Sequence, residues 1–319
     1  MTMEFDLIAR YFTRATPGAV LGVGDDCALL TPASGMQLAV TSDMLLEGRH
    51  FMPQDSPAGL GHKSLAVNLS DLAAMGAAPR WVTLSIALPA VDEAWLAAFA
   101  RGFFRMADLH GVELVGGDTT RGPLTFGITA IGEVPPGQAL RRDGAKPGDD
   151  VWVSGVIGSA AMALAYRQGR LFMEQIDAAR VLPALYLPTP RVALGIALRG
   201  LATSAIDISD GLAADLGHIL ERSRVGAVLE FDALPLLPAT RTYLHEAAAR
   251  DAVLAGGDDY ELCFTAPCDR RDAVHAAAAA ADTPVTRIGR IVDAAGLAIV
   301  DANGHPLSLE RTGHDHFAP

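Results

Sequence analysis

The 319-residue chain is poor in cysteine and has almost no lysine. Its three cysteines, Cys27, Cys263 and Cys268, form no CxxC pair. That excludes a zinc ribbon or a disulfide framework and points to reduced thiols in a cytoplasmic protein. Apart from Lys63 and Lys146 the basic residues are arginines, and 37 acids outweigh 25 bases for a net charge of −12. Sequence-independent nucleic-acid binding rests on neutralising phosphates with Lys and Arg, so no nucleic-acid partner is expected. No apolar run approaches the roughly 20 residues of a membrane-spanning helix. MTMEFDLIAR carries acids where a secretory signal would carry an apolar core, so no membrane partner is expected either. Familiar nucleotide signatures are also missing. There is no GxxxxGK[ST] loop, Gly22-Val23-Gly24 lacks the third glycine of the dinucleotide fingerprint, and HRD and DFG do not occur. Any phosphate site in so acidic a chain needs divalent cations held by carboxylates, helped by arginines such as Arg121, Arg141 and Arg142.

The length is large for one core, so two domains are the natural expectation. Half of the residues are hydrophobic and 19% are charged, which fits a packed chain rather than a disordered one. EFDLIARYFT spaces Phe5, Ile8, Ala9 and Phe12 as a helix. LGVGDDCALL and MQLAVTSDML read as strands, the second ending at Thr41-Ser42-Asp43. GHKSLAVNLSDLAAMGA is a helix closed by Gly76, WVTLSIALP a strand, and DEAWLAAFARGFFRMADLH a helix ending near Gly111. VELV is a short strand that Gly116 and Gly117 turn tightly, leaving Asp118 at its end, and LTFGITAIGEV is another strand. AKPGDD, residues 145–150, marks the domain boundary. VWVSG then restarts the pattern, followed by the helix SAAMALAYRQG, the strand-to-helix passage SAIDISDGLAADLGHIL, the loop-bounded AGGDDYELCFT and the helix DAVHAAAAAA. Strands alternating with helices in both halves give two α/β (α+β) domains.

The acids are concentrated where strands meet glycines or hydroxyls. Asp25 and Asp26 follow Gly22 and Gly24, Asp118 follows a Gly-Gly pair, Asp207 and Asp210 flank Ser209, and Asp258 and Asp259 follow another Gly-Gly. Each alone reads as a turn former or helix cap; together they read as ligand-binding strand ends. On the helix of residues 62–76, Ser64, Asn68 and Asp71 fall on one stripe of an otherwise apolar segment. A carboxylate there needs a metal or a partner. Ser209 or Asp210 is expected at a helix N-terminus, where free N–H groups suit phosphate or a bridged carboxylate–metal pair. GVIGS, residues 155–159, reads either as a phosphate turn or as close helix packing.

LGVGDDCALL, TSDMLLEGRHF, GHKSLAVNLSDLAAMGA, LVGGDTTRGP, SAIDISDGL and GGDDYELCFT, in this order, resemble the thiamine-monophosphate kinase family of the aminoimidazole ribonucleotide synthetase-like superfamily. The resemblance runs from Glu4 to the terminal HDHF. It implies a two-domain fold, with an N-terminal ATP- and magnesium-binding dimerisation domain over residues 1–146 and a C-terminal α/β domain over 147–319. It further implies Mg²⁺-assisted, in-line transfer of the ATP γ-phosphoryl group to thiamine monophosphate in a homodimer. Carried over by residue, Asp26, Thr41, Ser42, Asp43, Asp71, Asp118, Asp207 and Asp210 match the ligands of several Mg²⁺ ions. Among these, Asp43, Asp71, Asp118 and Asp210 are implied to be central to catalysis. Gly117, Asp118, Arg142 and Ser209 match the ATP site; His50, Asp258 and His314 match the thiamine-phosphate site. Two positions depart from the family pattern: Asp258 stands where glutamate is usual, and His314 where an aromatic is usual. Cys27 lies in an expected strand rather than a flexible glycine-rich segment, which argues against selenophosphate synthesis. The full set of ligand positions argues against a non-catalytic sensor.

Overall fold

The computed structural model of the protein describes residues 4–307 and Gly313. The chain forms two compact units. One takes in the chain through Leu72 together with Ala77–Gly137; the other takes in Ala73–Gly76 and the chain from Gln138 onward.

The first unit opens with α1 (Glu4–Leu7), which continues as a π-turn over Ile8–Phe12. It continues with β1 (Gln37–Leu46), α2 (Pro57–Ala74), β2 (Ala78–Leu88), α3 (Glu93–His110), β3 (Glu113–Arg121) and β4 (Thr125–Val134). The strands form a sheet of order β1-β4-β2-β3, with β2 and β3 parallel and the other pairs antiparallel. Helix α3 begins where the sequence predicts: the Asp92 side chain accepts the Trp95 N–H at 3.0 Å, and Gly111 ends it at φ +63°. Its ridge of Trp95 and Phe99 stacks on Phe126 of β4, with ring centroids 6.1 and 4.8 Å apart. That contact fixes one face of the sheet as the core. The opposite face is bare along β1, where Leu38, Val40, Met44 and Leu46 are exposed.

Four local expectations change. LGVGDDCALL is not a strand but a loop held by isolated bridges such as Leu21↔Leu29. Gly24 at φ +128° and the adjacent acids interrupt any continuous ladder. Strand β1 does not stop at Asp43 but runs through it to Leu46. In the first helix Leu7 and Phe12 are buried while Phe5 is exposed, because the π-turn shifts the helical register. Gly116 and Gly117 make no turn; GGDTTR is strand throughout. Here β3 carries a bulge. Val82 pairs with Leu114 and Thr83 with Gly116, skipping Val115. Gly117 then passes so close to β2 that an added Cβ would lie 1.8 Å from the Leu84 carbonyl oxygen, and its φ of +148° also demands glycine.

In the second unit the elements are β5 (Asp149–Ser154), α4 (Ser159–Arg167), α5 (Gln175–Tyr186), α6 (Val192–Ala197), β6 (Ser204–Asp207) and α7 (Leu212–Ser223). They continue with β7 (Gly226–Glu230), α8 (Pro238–Thr242), α9 (Ala247–Ala255), β8 (Leu262–Pro267), α10 (Arg271–Ala280), β9 (Val285–Val292) and β10 (Gly296–Val300). The sheet order is β10-β7-β9-β5-β8-β6. Strand β5 is central and buried along its whole length. Burying Asp150 there requires countercharge, and Arg271 (2.6 Å) and Arg287 (2.7 Å) supply it. Leu212, Leu216, Ile219 and Leu220 of α7 join Val151, Val153 and Ile206 in one core, the stripe expected from their spacing. Among the described residues no helix is long and apolar enough to cross a membrane.

Gly117→Ala is expected to destabilise the protein by about 2–4 kcal/mol, from overpacking plus a strained φ. Chemical denaturation checks this; a variant within about 0.5 kcal/mol of wild type contradicts the tight approach to β2.

Candidate active site

In the first unit the expected helix stripe meets the expected strand. Alternation along β1 turns Thr41 and Asp43 toward α2 and Ser42 toward the bare face. Ser64 and Asn68 are fully buried on α2. Asn68 Oδ1 accepts the Asp43 N–H at 3.1 Å, and its Nδ2 donates to the Ser64 carbonyl at 3.1 Å. As β1 is the sheet edge, that amide has no strand partner on this side, and the buried Asn68 satisfies it. The Thr41 hydroxyl donates to Asp71 Oδ2. Burial, and then the negative charge of Asp71, push the Asp43 carboxyl up to about 6. Two carboxylates and a hydroxyl thus converge at the centre of β1.

The register sets the remaining candidates apart from this group. Asp43 shares a row with Ile128, Leu84 and Gly117, while Met44, Gly127, Ser85 and Asp118 form the next row. Asp118 is therefore three inter-strand steps from β1, about 14 Å, and on the face opposite Asp43. It is exposed and shares its face with Ser42, whose hydroxyl contacts the Ile128 carbonyl at 3.1 Å and the Thr129 hydroxyl at 3.2 Å. Beyond Asp118, Thr119, Thr120 and Arg121 line a cavity of about 490 Å³ with Leu7, Leu88 and Val91. Asp26 is exposed in the 21–29 loop, and its N–H donates to Asp25 Oδ1 at 2.9 Å. His50 sits just past β1, its Nδ1 accepting the Leu46 N–H at 3.0 Å.

In the second unit the two acidic signatures lie side by side. The Asp258 N–H donates to the Ser209 carbonyl at 2.9 Å and the Tyr260 N–H to the Ile208 carbonyl at 2.8 Å. Gly257 leaves no room for a side chain, since a Cβ there would lie 2.0 Å from the Ser209 carbonyl oxygen. Asp258 and Tyr260 both hold positive φ, at +69° and +52°. Such backbone persists only where its surroundings over-determine it. The Tyr260 hydroxyl donates to Asp258 Oδ1 at 3.0 Å. Ser209, Asp210 and Asp258 are thereby neighbours, with Asp207 buried at the end of β6. Arg142 is not near them. Its carbonyl accepts the Ser223 hydroxyl at the far end of α7, a helix of 12 residues or about 18 Å. There it lines a cavity of about 630 Å³ with His218, Glu221, Arg222 and Arg224. His314 lies outside the described residues.

Neither helix N-terminus anticipated as a phosphate seat is open. Asp259 Oδ2 accepts the Gly158 N–H at 2.7 Å, filling the GVIGS turn. A Cβ at Gly158 would lie 2.8 Å from Val253 Cα, so that turn is close helix packing. Asp215, unmarked by the sequence reading, accepts the N–H groups of Ser209, Asp210 and Gly211 on one oxygen, each at 3.0 Å. Burial raises its carboxyl to about 7, while those N–H bonds pull the other way. Glu261, also unmarked, is buried and paired with Arg191 Nε at 2.7 Å and the Ser154 hydroxyl at 2.5 Å. An acid in the first turn of a predicted helix was the available signal for Asp215. Nothing local announces Glu261, whose partners are distant in the chain.

The donor set around Asp43 can be tested against Mg²⁺ without any ion present. Among the described residues no three His, Cys, Asp or Glu side chains converge as a self-sufficient metal site. Mg²⁺ keeps several waters and binds through one or two carboxylates plus substrate phosphates. The oxygens of Asp43, Asp71 and Thr41 fit it. The raised Asp43 carboxyl also sets a pH dependence. Because the folded chain holds the proton up to about 6 against an ordinary 3.8, the contribution of this carboxyl to stability without divalent cations is fully present below pH 3.8 and is lost as pH rises through 6. Asp43→Asn is expected to remove that loss and be more stable than wild type above pH 6, by roughly 1–3 kcal/mol. Thermal unfolding from pH 4 to 8 measures it; a variant less stable than wild type at pH 7.5 contradicts it.

Residues 24–134 match the N-terminal domain of AIR synthase related proteins, and residues 146–302 match their C-terminal domain. The chain is 47% identical to the thiamine-monophosphate kinase of Salmonella typhimurium, over 99% of this chain and 98% of that one. It is similar to the solved thiamine-monophosphate kinase of Stenotrophomonas maltophilia, with 51% identity and a TM-score of 0.85 over 94% of this chain and 95% of that one. A second solved relative, AaThiL complexed with AMPPCP and TMP, is 28% identical with a TM-score of 0.78 over 90% of this chain and 89% of that one. On sequence along its whole length and on fold, the chain belongs to the thiamine-monophosphate kinase family of the AIR synthase related proteins.

Proposed function

We propose that this chain is an ATP-dependent kinase that phosphorylates thiamine monophosphate to thiamine diphosphate, by in-line transfer assisted by magnesium. The observation that carries the reading is the convergence of Asp43, Asp71 and Thr41 in a chain whose relatives of equal length are thiamine-monophosphate kinases. Both substrates are phosphate anions, and a protein of net charge −12 repels them unless a cation intervenes. Magnesium, when bound, neutralises the phosphates and aligns attacking and leaving oxygens.

The chain's own part is to hold and orient. Asp26, Thr41, Ser42, Asp43, Asp71, Asp118, Asp207 and Asp210 are the proposed Mg²⁺ ligands, with Asp43, Asp71, Asp118 and Asp210 central to catalysis. Gly117, Asp118 and Ser209 are proposed ATP contacts, and Arg142, at the opposite end of α7 from Ser209, is proposed to contact a different part of the same extended nucleotide. Gly117 lacks a side chain where β3 is most crowded, and the cavity beyond Asp118 is of a size that small ligands use. His50, Asp258 and His314 are assigned to thiamine monophosphate. The acceptor is an ionised phosphate, so no strong general base is required and positioning carries the rate. The exposed row Leu38, Val40, Met44 and Leu46 lies on an edge strand, a surface that proteins cover. It supports a homodimer formed through the first unit, and it explains how Ser42 and Asp118, on the same bare face, would be enclosed. We place the protein in the cytoplasm; Cys27, Cys263 and Cys268 are unpaired, which fits that compartment.

Protein incubated with ATP, Mg²⁺ and thiamine monophosphate is expected to form thiamine diphosphate only when all three are present, as read by chromatography. Asp118→Asn is expected to cut kcat on the order of 10²-fold or more with an unchanged melting temperature. No product from wild type overturns the function, and a fully active variant overturns the role of Asp118.

A further inference from the structure

The turn of residues 208–211 between β6 and α7 carries two of the proposed ligands, Ser209 and Asp210. Three consecutive backbone N–H groups, of Ser209, Asp210 and Gly211, point to one place, and the Asp215 Oδ2 oxygen occupies it at 3.0 Å from each. Successive N–H groups aimed at one point form a concavity suited to an anion. In many nucleotide-binding turns that anion is the ligand's phosphate; here it is a side chain of the same helix, only 3% exposed. Filling the concavity from within fixes the backbone of the turn and leaves Ser209 and Asp210 half-exposed above it. The carbonyl side of the turn is fixed as well, since Ile208 and Ser209 accept the N–H groups of Tyr260 and Asp258. The turn is therefore gripped on its donors by Asp215 and on its acceptors by the GGDDYEL segment. Only the Asp215 grip depends on a side chain that can be changed without altering the backbone.

We propose that Asp215 is a positioning residue for phosphoryl transfer, holding the turn so that Ser209 and Asp210 meet the nucleotide and its cation in one geometry. This rests on the kinase reading above. A group held to within a fraction of an ångström contributes to the transition state, and one allowed to wander does not. Loss of the grip falls on turnover and nucleotide binding, not on the fold as a whole, which α7 secures through its leucine and isoleucine stripe.

The test compares Asp215→Ala, Asp215→Asn and, as a stability control, Ile219→Ala, a fully buried position one turn further along α7. Turnover and calorimetric affinity for Mg–AMPPCP are measured for each. Asp215→Ala is expected to lower kcat about 100-fold and weaken Mg–AMPPCP binding about 10-fold. Asp215→Asn, which keeps an oxygen for the N–H groups, is expected to recover to about 5–10-fold below wild-type kcat. Ile219→Ala is expected to stay within about 3-fold of wild type even where its melting temperature falls as far. Wild-type kcat and affinity in Asp215→Ala overturn the proposal, as does an equal loss in Ile219→Ala. Should Asp215→Ala fail to fold, Asp215→Asn decides: reduced kcat at an unchanged melting temperature supports the grip, and wild-type kcat overturns it. An inactive wild type defeats the kinase reading instead, and nucleotide affinity alone then judges Asp215.

Discussion

Like charges held close together at the centre of a sheet edge are the constraint from which the first unit is built. Asp71 Oδ2 accepts a hydrogen bond from the Thr41 hydroxyl, and burial, then the negative charge of Asp71, act against charging Asp43. A fold under pressure only for stability would separate them or replace one with an apolar residue. Instead the surroundings hold the pair in place. The α2 residues Leu65, Leu69 and Leu72 are buried to 1% or less, which leaves the helix no freedom to rotate Asp71 away. Asn68 ties the Asp43 backbone to the same helix. Repulsion maintained at that cost supports the cation site proposed for Asp43 and Asp71.

The second unit uses negative charge differently. Two of its buried acids point into the protein's own backbone: Asp215 into the turn before α7 and Asp259 into the turn before α4. The backbone N–H groups at these two helix starts are thereby occupied from within the protein. The proposed phosphate contacts therefore rest on cations and on side chains carried on rigid turns. The segment of residues 256–261, with its positive φ at Asp258 and Tyr260, is one such turn, braced from behind by Glu261 and Arg191.

Much of this was legible in the sequence because it is local. The limits of α3 follow from Asp92 and Gly111, the buried stripe of α2 from its spacing, and the two-domain α/β class from the alternation of elements. The carboxylates gathered at β1 were legible too, since Ser64, Asn68 and Asp71 occupy one stripe. What failed was local reasoning applied to non-local facts. Gly116-Gly117 has the composition of a turn, yet β2 captures the segment as strand and the glycines serve a bulge and a close approach. Asp43 looks like a strand end because polar residues precede it, but β4 pairs with the strand through Leu46. LGVGDDCALL alternates like a strand and finds no continuous partner. The placement of Arg142 at the opposite end of α7 from Ser209 depends on tertiary packing that no motif encodes.

The proposal that a divalent cation relieves the repulsion around Asp43 is tested most directly by the melting temperature of metal-free protein titrated with Mg²⁺ at pH 7.5. A ligand that binds only the folded state stabilises it by RT ln(1 + [L]/Kd), about 2.7 kcal/mol at 100 times Kd. The account predicts a saturable rise in melting temperature that is lost when Asp71 is replaced by Asn. A melting temperature indifferent to Mg²⁺, or a rise of equal size in the Asp71→Asn variant, would contradict it.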